Sequence, residues 1–376
     1  MNNIEIHLID SHKKKQDFLA FPWQIYRGDP HWVPPLFSER KKAINPQCGA
    51  WFEHGLADFF VAYRNGQPVG TICAAEDQEN NSTTGRHDCV FGFFECVNDD
   101  LVAHALLQKV IDWAHAHGLN SLLRPFNLDY EDGYGILIEG RDRPPAILCG
   151  HTPAYYQGLV ERFGLMPARG DNLAYAIDVD QDSPALAKIL RLAERVRLRK
   201  DFTIRKADFS RWQDEVGLVL ELINPSLQHL HGFIRWTREA LQKLMEPFIK
   251  IADPDLILFA ELGNKTIGFL PAIPNMNEVL IHLNGLRYPW DYLKALHYSR
   301  IQPQSAAIKS VLVLPEYWGS GVIILLLEEM AKRVIAKGYT WVDLSLTSDD
   351  NPNTPILAEH VGARIYKRYR VYRLDI

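Results

Sequence analysis

The sequence predicts an α/β protein in which one fold is used twice in tandem. Three stretches of the first half recur in the second at a constant spacing of 198 residues: 4–10 at 202–208, 60–70 at 258–268, and 161–164 at 359–362. Two long amphipathic helix patterns also correspond, one ending at Gly118 and the other at Gly338. Three matches at one spacing favour tandem duplication over chance. The alternation of strand and helix patterns gives the α/β class.

Each half begins with a strand and a helix, followed by a hairpin. The hairpins at 60–70 and 258–268 are alternating apolar runs around a polar turn that contains Asn and Gly. The second half carries about 22 additional residues, around 274–302, before its long helix, and the first half a similar number, around 127–150, after its own. We therefore predict the same order in each half: strand, helix, three strands, helix, strand, helix and closing strands.

These repeats divide the chain into a first domain at 1–182, a helical joint at 183–201 and a second domain at 202–376. The joint begins with Ser183 and Pro184 and has helical periodicity. Residues 188–206 hold eight basic residues against two acidic ones. This surface could face RNA or an acidic ligand, or it could be a solvated connecting helix.

Composition excludes several classes of protein. Of the 376 residues, 47% are hydrophobic and 11% aromatic, which is enough for packed cores and argues against disorder. The net charge of −5 argues against a general polyanion-binding surface. No apolar run approaches the roughly 18 residues of a membrane span, the first residues lack a signal-peptide core, and the cysteines form no CxxC pair. We expect a cytoplasmic protein with reduced cysteines and no membrane role.

The most specific chemical signal is a strand, glycine loop and helix pattern at residues 313–322. A β-branched run ends at Pro315, a loop with Gly319 and Gly321 follows, and an apolar helix pattern starts at Val322. Unpaired backbone N–H groups and the positive end of a helix dipole suit such a turn to phosphate oxygens. An ordinary tight turn between a strand and a helix is the alternative.

This element order, with a glycine loop between the fourth strand and the third helix of the second half, resembles the GNAT acyltransferase fold, used twice. Over nearly its whole length the chain is also similar to a bacterial family of double-GNAT proteins of unassigned substrate. The segments that carry this resemblance are FPWQIYRGDPHWVPPL, FGFFEC, GILIEG, PAYYQGLVERFG, PAIPNMN, LPEYWGSGV and KRYRVY. The resemblance implies a mixed, mostly antiparallel sheet flanked by helices in each domain. It also implies acetyl-CoA or another acyl-CoA as the co-substrate.

The resemblance carries over to individual residues of the second half. The superfamily loop is usually Gln/Arg-x-x-Gly-x-Gly/Ala; here Gly321 keeps the central glycine, whereas Trp318 and Ile323 replace the first and last positions. Asn351 stands eleven residues before Gly362, where the superfamily often has an asparagine that contacts the cofactor. The cofactor-binding residues that the resemblance implies are Val311, Val313, Trp318, Gly319, Ser320, Gly321, Val322 and Asn351.

Two departures from the family pattern bear on activity. Many members have a tyrosine that protonates the leaving thiolate four residues before the glycine aligned with Gly362, and here that position is Ala358. In the first half the corresponding loop lacks glycine and contains Asp99 and Asp100, whose charges oppose a phosphate at a helix start. We therefore expect only the second domain to bind the co-substrate, and the first to scaffold or line the substrate cleft.

Acyl transfer from a thioester to an amine requires a proton acceptor, because a lysine-like amine has a pKa of about 10. The candidate acceptors on elements that border the cleft are Glu95, Glu261, Glu278, His282 and Asp343. The acid missing at Ala358 could be replaced by Tyr298, Tyr317 or Tyr366, and the oxyanion could be stabilised by a backbone N–H around 311–314. From these groups we predict that the catalytic residues are Glu261, His282, Asp343 and Tyr366.

Two further patterns have simpler alternatives. His229 and His231 could share a metal, but no third ligand stands nearby, so we expect surface histidines and no metal site. The aromatic run Tyr288, Trp290 and Tyr292 could form a substrate lid, stack on an adenine or pack against the other half.

The sequence therefore predicts an acyl-CoA-dependent N-acyltransferase whose acceptor is the amine of a small molecule or peptide. One alternative is a non-catalytic ligand-binding or regulatory protein that keeps the fold. Another is aminoacyl (peptidyl) transfer from tRNA, as in enzymes of wall synthesis that also pair two GNAT folds. Only the basic joint helix favours this last alternative, and we otherwise expect no nucleic-acid partner.

Overall fold

The computed structural model describes residues 3–128, 135–198, 201–229, 235–298, 300–351 and 354–376, which form two mixed sheets flanked by helices. Within these residues one sheet has seven strands and the other nine. One neighbouring pair of strands in each described sheet is parallel, and the other pairs are antiparallel. The predicted fold class is therefore confirmed.

The first half supplies the elements up to the joint helix. Its strands are β1 (Ile4–Leu8), β2 (Gly55–Arg64), β3 (Gln67–Asp77), β4 (Asp88–Cys96), β5 (Ser121–Leu123), β6 (Ile136–Glu139), β7 (Met166–Pro167) and β8 (Asn172–Asp178). Its helices are α1 (His12–Ala20), α2 (Pro22–Ile25), α3 (Phe37–Ala43), α4 (Gln78–Thr84), α5 (Asp100–Ala116) and α6 (Tyr155–Phe163), and the joint forms α7 (Pro184–Arg197).

The second half repeats this order. Its strands are β9 (Phe202–Lys206), β10 (Ile257–Leu262), β11 (Lys265–Pro274), β12 (Ser305–Ile308), β13 (Leu312–Val313), β14 (Trp341–Ser348), β15 (Arg364–Arg370) and β16 (Tyr372–Asp375). Its helices are α8 (Trp212–Leu227), α9 (Arg238–Ile249), α10 (Asn277–Leu280), α11 (Pro289–Tyr298), α12 (Val322–Ala336) and α13 (Thr354–His360).

Glycine is required at the same position of the hairpin in both halves, Gly70 and Gly268, for the same physical reason. A Cβ added at Gly70 would lie 2.6 Å from a methyl carbon of Leu106 on α5. A Cβ added at the aligned Gly268 would lie 3.2 Å from a methyl carbon of Leu326 on α12. In each half the long helix therefore packs so closely on the hairpin that a side chain at this position would push it away.

The two halves exchange strands. Strand β8 of the first half lies between β14 and β15 of the second, in the sheet order β6-β15-β8-β14-β12-β11-β10-β9. Conversely, β16 at the end of the chain lies between β5 and β7, in the order β1-β2-β3-β4-β5-β16-β7. Each sheet is therefore complete only when both halves are folded. The predicted domain limits, 1–182 and 202–376, stay a prediction. Each sheet contains strands from both of these segments, so the sheets do not divide the chain at those residues.

The two insertions are also exchanged. The first-half insertion reaches the second-half sheet, where Asn275 accepts a hydrogen bond from Ile147 N at 2.9 Å and Asn277 donates one to Pro145 O at 3.1 Å. The second-half insertion reaches the first half, where the Trp23 indole donates to Asn284 Oδ1 at 2.8 Å. These contacts explain why the compensating insertions lie at different places in the two repeats.

The basic joint helix α7 packs along α12 rather than standing free in solvent. Ala193 on α7 is fully buried, and the Arg197 guanidinium donates two hydrogen bonds to the carboxylate of Glu328 on α12. Burial raises the pKa of Glu328, but the bonds from Arg197 and Lys332 outweigh it and the net shift is downward. One of the basic residues of the joint is therefore part of an internal ion pair.

Among the described residues, no helix is both long and apolar enough to cross a bilayer. The five cysteines are unpaired, and four of them are buried. Burial raises the pKa of Cys73, Cys89 and Cys96, which keeps these thiols protonated and unreactive at neutral pH. They act as small core residues.

Candidate active site

The site is built where β12 and β14 separate. The two strands pair in parallel from Ser305 with Trp341 to Ala307 with Asp343. Beyond that point β12 remains paired with β11, where Ile308 lies opposite Ala272, and β14 remains paired with β8. The β14 register shifts after Asp343, and Ser345 has a φ of 65°. The result is an opening in the sheet whose edges carry backbone groups without a strand partner on that side.

An apolar cavity of about 150 Å³ lies on the α12 side of this opening. Its walls come from β8, α7, α12, β14 and α13, together with Ile308 and Val311. Most of the lining side chains are aliphatic, including Leu186, Ile189, Leu327, Val334 and Leu344. A cavity of this composition suits a hydrocarbon chain and disfavours an ion or a sugar.

Ala358 forms part of the cavity wall and is 4% exposed. This is the position where a tyrosine was expected from the family pattern. The methyl group leaves open a volume that a phenol ring would fill. The departure that removes the usual acid therefore also enlarges the apolar space.

The glycine loop has the conformation that its sequence predicts. Gly319 has a φ of 73° and Gly321 a φ of 91°, both in the left-handed region that glycine favours. Gly321 is the N-cap of α12 and has no side chain to accept a capping hydrogen bond. Val322 N, at the start of the helix, donates to Ser320 Oγ at 3.4 Å. The loop thus places the positive dipole end of α12 at Gly321, and the cavity begins farther along the same helix, at Leu327, about 7.5 Å from Val322.

Access to the loop is restricted on one side. A Cβ on Gly321 would lie 2.5 Å from Val196 on α7, so the end of the joint helix covers that side. A Cβ on Gly319 would meet nothing within 4 Å. Trp318 is 52% exposed, and its indole donates to Val313 O at 2.8 Å. A phosphate would therefore approach from the Gly319 side, with the Trp318 ring at the rim.

A polar cluster lies on the opposite face of the sheet, at the point where the strands separate. Asp343 is fully buried and accepts hydrogen bonds from the Tyr366 hydroxyl at 2.7 Å and from Ser345 N at 2.9 Å. The Lys309 ammonium lies 3.6 Å from Asp343 Oδ1 and donates to Ile147 O at 2.6 Å. Burial, reinforced by Asp343, raises the pKa of Tyr366 well above its usual value, so its phenol stays protonated.

The first-half insertion covers this cluster. Arg143 lies over the rings of Trp341 and Tyr366, at 5.6 and 5.2 Å from their centroids. The ammonium of Lys367, which is fully buried, donates to the backbone carbonyls of Gly140 and Arg143. Burial lowers the pKa of Lys367 to about 8. The first half therefore contributes directly to the surroundings of this cluster, and its role in lining a substrate cleft stays a prediction.

The four residues predicted to be catalytic do not lie together. Asp343 and Tyr366 are hydrogen-bonded partners at the strand opening. Glu261 instead binds Arg205 at 2.6 Å, in a network that includes Glu215. His282 stacks on Tyr298 in the second-half insertion, with ring centroids 4.5 Å apart. Only the Asp343–Tyr366 pair borders the opening, and the roles of all four residues remain predictions.

The other predicted site residues have structural partners. Asn351 accepts a hydrogen bond from Thr354 N at 3.2 Å at the start of α13, and its contact with a cofactor stays a prediction. Glu95 accepts from the Tyr156 hydroxyl at 2.8 Å, and Glu278 binds Gln304 N at 2.6 Å. His229 packs edge to face against Trp318. His231 lies outside the described residues, and among those described no group of three metal-ligating side chains comes together.

Sequence reasoning missed Lys309 and the loop at 145–147 that it binds. The signal for Lys309 was present, since a lysine interrupts the apolar run that starts at Ala306. A charged residue at that place in a buried strand needs a partner. No local pattern indicates that the partner would include Ile147, because that contact depends on the exchange of insertions.

Comparison with known proteins agrees with this architecture. Residues 220–362 match the Acetyltransferase (GNAT) family. The chain is 31% identical over 363 residues to the bacterial ceramide synthase of Caulobacter vibrioides, covering 94% of this chain and 93% of that protein. It is 29% identical over 366 residues to protein YghO of Escherichia coli, covering 96% and 92%. A tandem GNAT protein from the clavulanic acid biosynthesis pathway has a TM-score of 0.59 at 12% identity, over 99% of this chain and 98% of that one.

Two GNAT units, with a glycine loop at a helix start and an opening between two strands of the second, define the class as that of tandem GNAT acyltransferases. The identity and coverage of the two relatives are those of one family. The chain belongs to the GNAT superfamily and, within it, to the bacterial double-GNAT family that contains these relatives. Acyl transfer is the chemistry general to this fold and family, and an acyl-CoA is its general co-substrate.

Proposed function

We propose that this protein transfers a long acyl group from acyl-CoA to the amine of a long-chain amino alcohol, forming an amide. The observation that carries the proposal is the apolar cavity of about 150 Å³ along α12, the helix that the glycine loop begins, with Ala358 in its wall. The name of the Caulobacter relative supports the acceptor class, because a ceramide is an N-acylated long-chain amino alcohol. The aliphatic lining supports a donor with a hydrocarbon chain.

The donor would bind to the second half. Its phosphates would meet the backbone N–H groups of Gly319 and Gly321 and the positive end of α12, whose N-cap is a glycine. The first methylene groups of its acyl chain would enter the cavity from the strand opening, because a volume of about 150 Å³ holds part of a long chain and not the whole of it. The thioester would then lie between the loop and the Asp343–Tyr366–Lys309 cluster, where the unpaired backbone edge of β12 could donate to the developing oxyanion.

In the reaction, the amine nitrogen attacks the thioester carbonyl, the C–N bond forms and the C–S bond breaks. The amine must give up a proton, and Asp343 is our candidate for the acceptor because it is the last β14 residue paired with β12. Lys309 and Tyr366 hold its carboxylate by charge and by hydrogen bonding. The CoA thiolate leaves with a pKa of about 8.5, so it can depart without the tyrosine that is absent at position 358.

We expect Ser320→Glu to weaken CoA binding by about tenfold or more, because a carboxylate at the helix start opposes the phosphates and offsets the dipole. Ser320 is preferable to Gly321 as a test position, since any side chain at Gly321 would clash with Val196. The measurement is the dissociation constant of CoA by calorimetry. Ser82→Glu, the same change at an exposed position on α4, is the matched control.

Equal CoA affinity in Ser320→Glu, Ser82→Glu and the unmodified protein would place the phosphates elsewhere and remove the cofactor assignment. Thermal unfolding of both variants shows whether either substitution disturbs the fold. A loss of CoA binding confined to Ser320→Glu, with melting temperatures unchanged, is the result that the proposal requires.

A further inference from the structure

Helix α11 buries an acidic residue and exposes several of its large apolar residues. Trp290, Tyr292 and Leu293 are 57%, 56% and 70% exposed, whereas Asp291 is fully buried. The buried carboxylate accepts hydrogen bonds from Asn284 Nδ2 at 3.1 Å and from Tyr288 N at 3.0 Å. The helix is therefore held to the protein by a polar contact and presents an apolar face, Trp290, Tyr292 and Leu293, to solvent.

This face continues beyond the helix. Tyr288 stacks on Trp290 with ring centroids 4.8 Å apart and is 37% exposed. Ile301, which follows the helix, is 42% exposed. Soluble proteins rarely leave large apolar side chains adjacent on one element without a ligand, a partner or a membrane. Asn284 and Arg287, which precede the helix, contact Trp23 of the first half, and the three roles considered for the aromatic run stay predictions.

Basic residues surround the face. Lys294 and Arg300 are exposed, with the Lys294 ammonium 3.8 Å from Asp291 Oδ1, and the Arg287 guanidinium lies 5.1 Å from the centroid of Tyr288. Between residues 287 and 301 the sequence contains one acidic residue, the buried Asp291. The exposed part of this segment is therefore apolar in the middle and positively charged at its border.

We propose that α11 docks the protein peripherally on an anionic lipid bilayer. Trp and Tyr side chains favour the boundary between headgroups and acyl chains, where an aromatic body meets a polar end. Trp290, Tyr292 and Leu293 would lie in that boundary, and Lys294 and Arg300 would contact headgroup phosphates. A helix of ten residues is too short to span the bilayer and would lie in its plane.

This proposal departs from the expectation of no membrane role, which considered only spanning segments. It does not depend on the proposed acceptor, although it fits a lipid-like substrate. The second-half insertion, which contains α11, is connected at both of its ends to segments near the proposed active site. At one end Asn275 binds Ile147, and at the other β12 begins at Ser305, about 10 Å along the strand from Ile308 in the cavity wall.

The test is flotation of the full-length protein with vesicles of equal parts phosphatidylcholine and phosphatidylglycerol, and with phosphatidylcholine vesicles. We expect the unmodified protein to float with the anionic vesicles. In the double variant Trp290→Gln, Leu293→Gln, the ratio of vesicle-bound to free protein should fall by about tenfold or more. The matched control is Leu101→Gln, Met166→Gln, which removes two apolar residues that are each 66% exposed elsewhere.

We also expect Lys294→Gln, Arg300→Gln to weaken binding to the anionic vesicles, and added salt to do the same. Equal binding to both vesicle compositions would contradict the anionic docking surface. Absence of flotation would overturn the proposal. So would light scattering that shows a dimer dissociated by the Trp290, Leu293 double variant, because the face would then belong to a second copy. Thermal unfolding verifies that each variant is folded.

Discussion

Replacement of Asp343 by Asn is expected to lower kcat for acyl transfer by about 10²-fold or more, the usual contribution of a positioned proton acceptor. Asn keeps the volume and can still accept a hydrogen bond from Tyr366, but it cannot take a proton from the amine. Since Asp343 lies on the face opposite the cavity, the affinity for acyl-CoA should change little. The measurement combines single-turnover rates with the dissociation constant of the donor.

The substitution also leaves Lys309 without its charged neighbour, which we expect to cost about 3 kcal/mol of stability. Glu328→Gln is the matched control, because Glu328 is another buried carboxylate in an ion pair, 2% exposed, on α12 rather than at the strand opening. It should lower stability and leave kcat nearly unchanged. If Asp343→Asn and Glu328→Gln lowered kcat to the same extent, Asp343 would be structural and the proposed acceptor would be wrong.

Filling the cavity should change which donor the protein accepts. We expect Ala358→Phe to reduce kcat/KM for palmitoyl-CoA by about tenfold or more and to change that for acetyl-CoA by less than about threefold, because the ring occupies space needed only by the long chain. The comparison of donors on one variant separates chain recognition from damage to the catalytic groups.

Ala336→Phe is the control for this prediction, since Ala336 is exposed in the last turn of α12 and the same ring there would point to solvent. The control should retain the donor preference of the unmodified protein. An equal loss with both donors in Ala358→Phe would mean that the cavity holds a part of CoA common to all donors. No loss with either donor would mean that the acyl chain lies elsewhere.

The fold could be predicted from the sequence because the repeat consists of local sequence patterns. Gly70 and Gly268 align because each half packs a long helix tightly on a hairpin, and a single residue type meets that demand. The glycine loop was likewise predictable, since Gly319 and Gly321 adopt positive φ angles that other residues avoid. In both cases the constraint acts between residues that are close in the sequence or related by the repeat.

The arrangement of the site was less predictable, because it depends on contacts between distant segments. The exchange of β8 and β16 leaves no local signal, because the residues of a strand do not specify which neighbouring strands it pairs with. From the sequence, Glu261 and Asp343 were equally plausible proton acceptors, because both lie on strands that border the cleft. Arg205 binds the first, whereas the second lies at the strand opening. Only the paired strands and the charge partners distinguish them.

The central claim is that acyl-CoA bound to the second half donates its acyl group to an amine. The most direct test is to incubate the purified protein with palmitoyl-CoA and sphinganine, a long-chain amino alcohol, and to quantify free CoA and the N-acyl product by mass spectrometry. We expect both products to form in equal amounts, at a rate that requires Asp343. CoA binding without release of CoA or formation of an amide would contradict the claim and indicate a ligand-binding protein that keeps the fold.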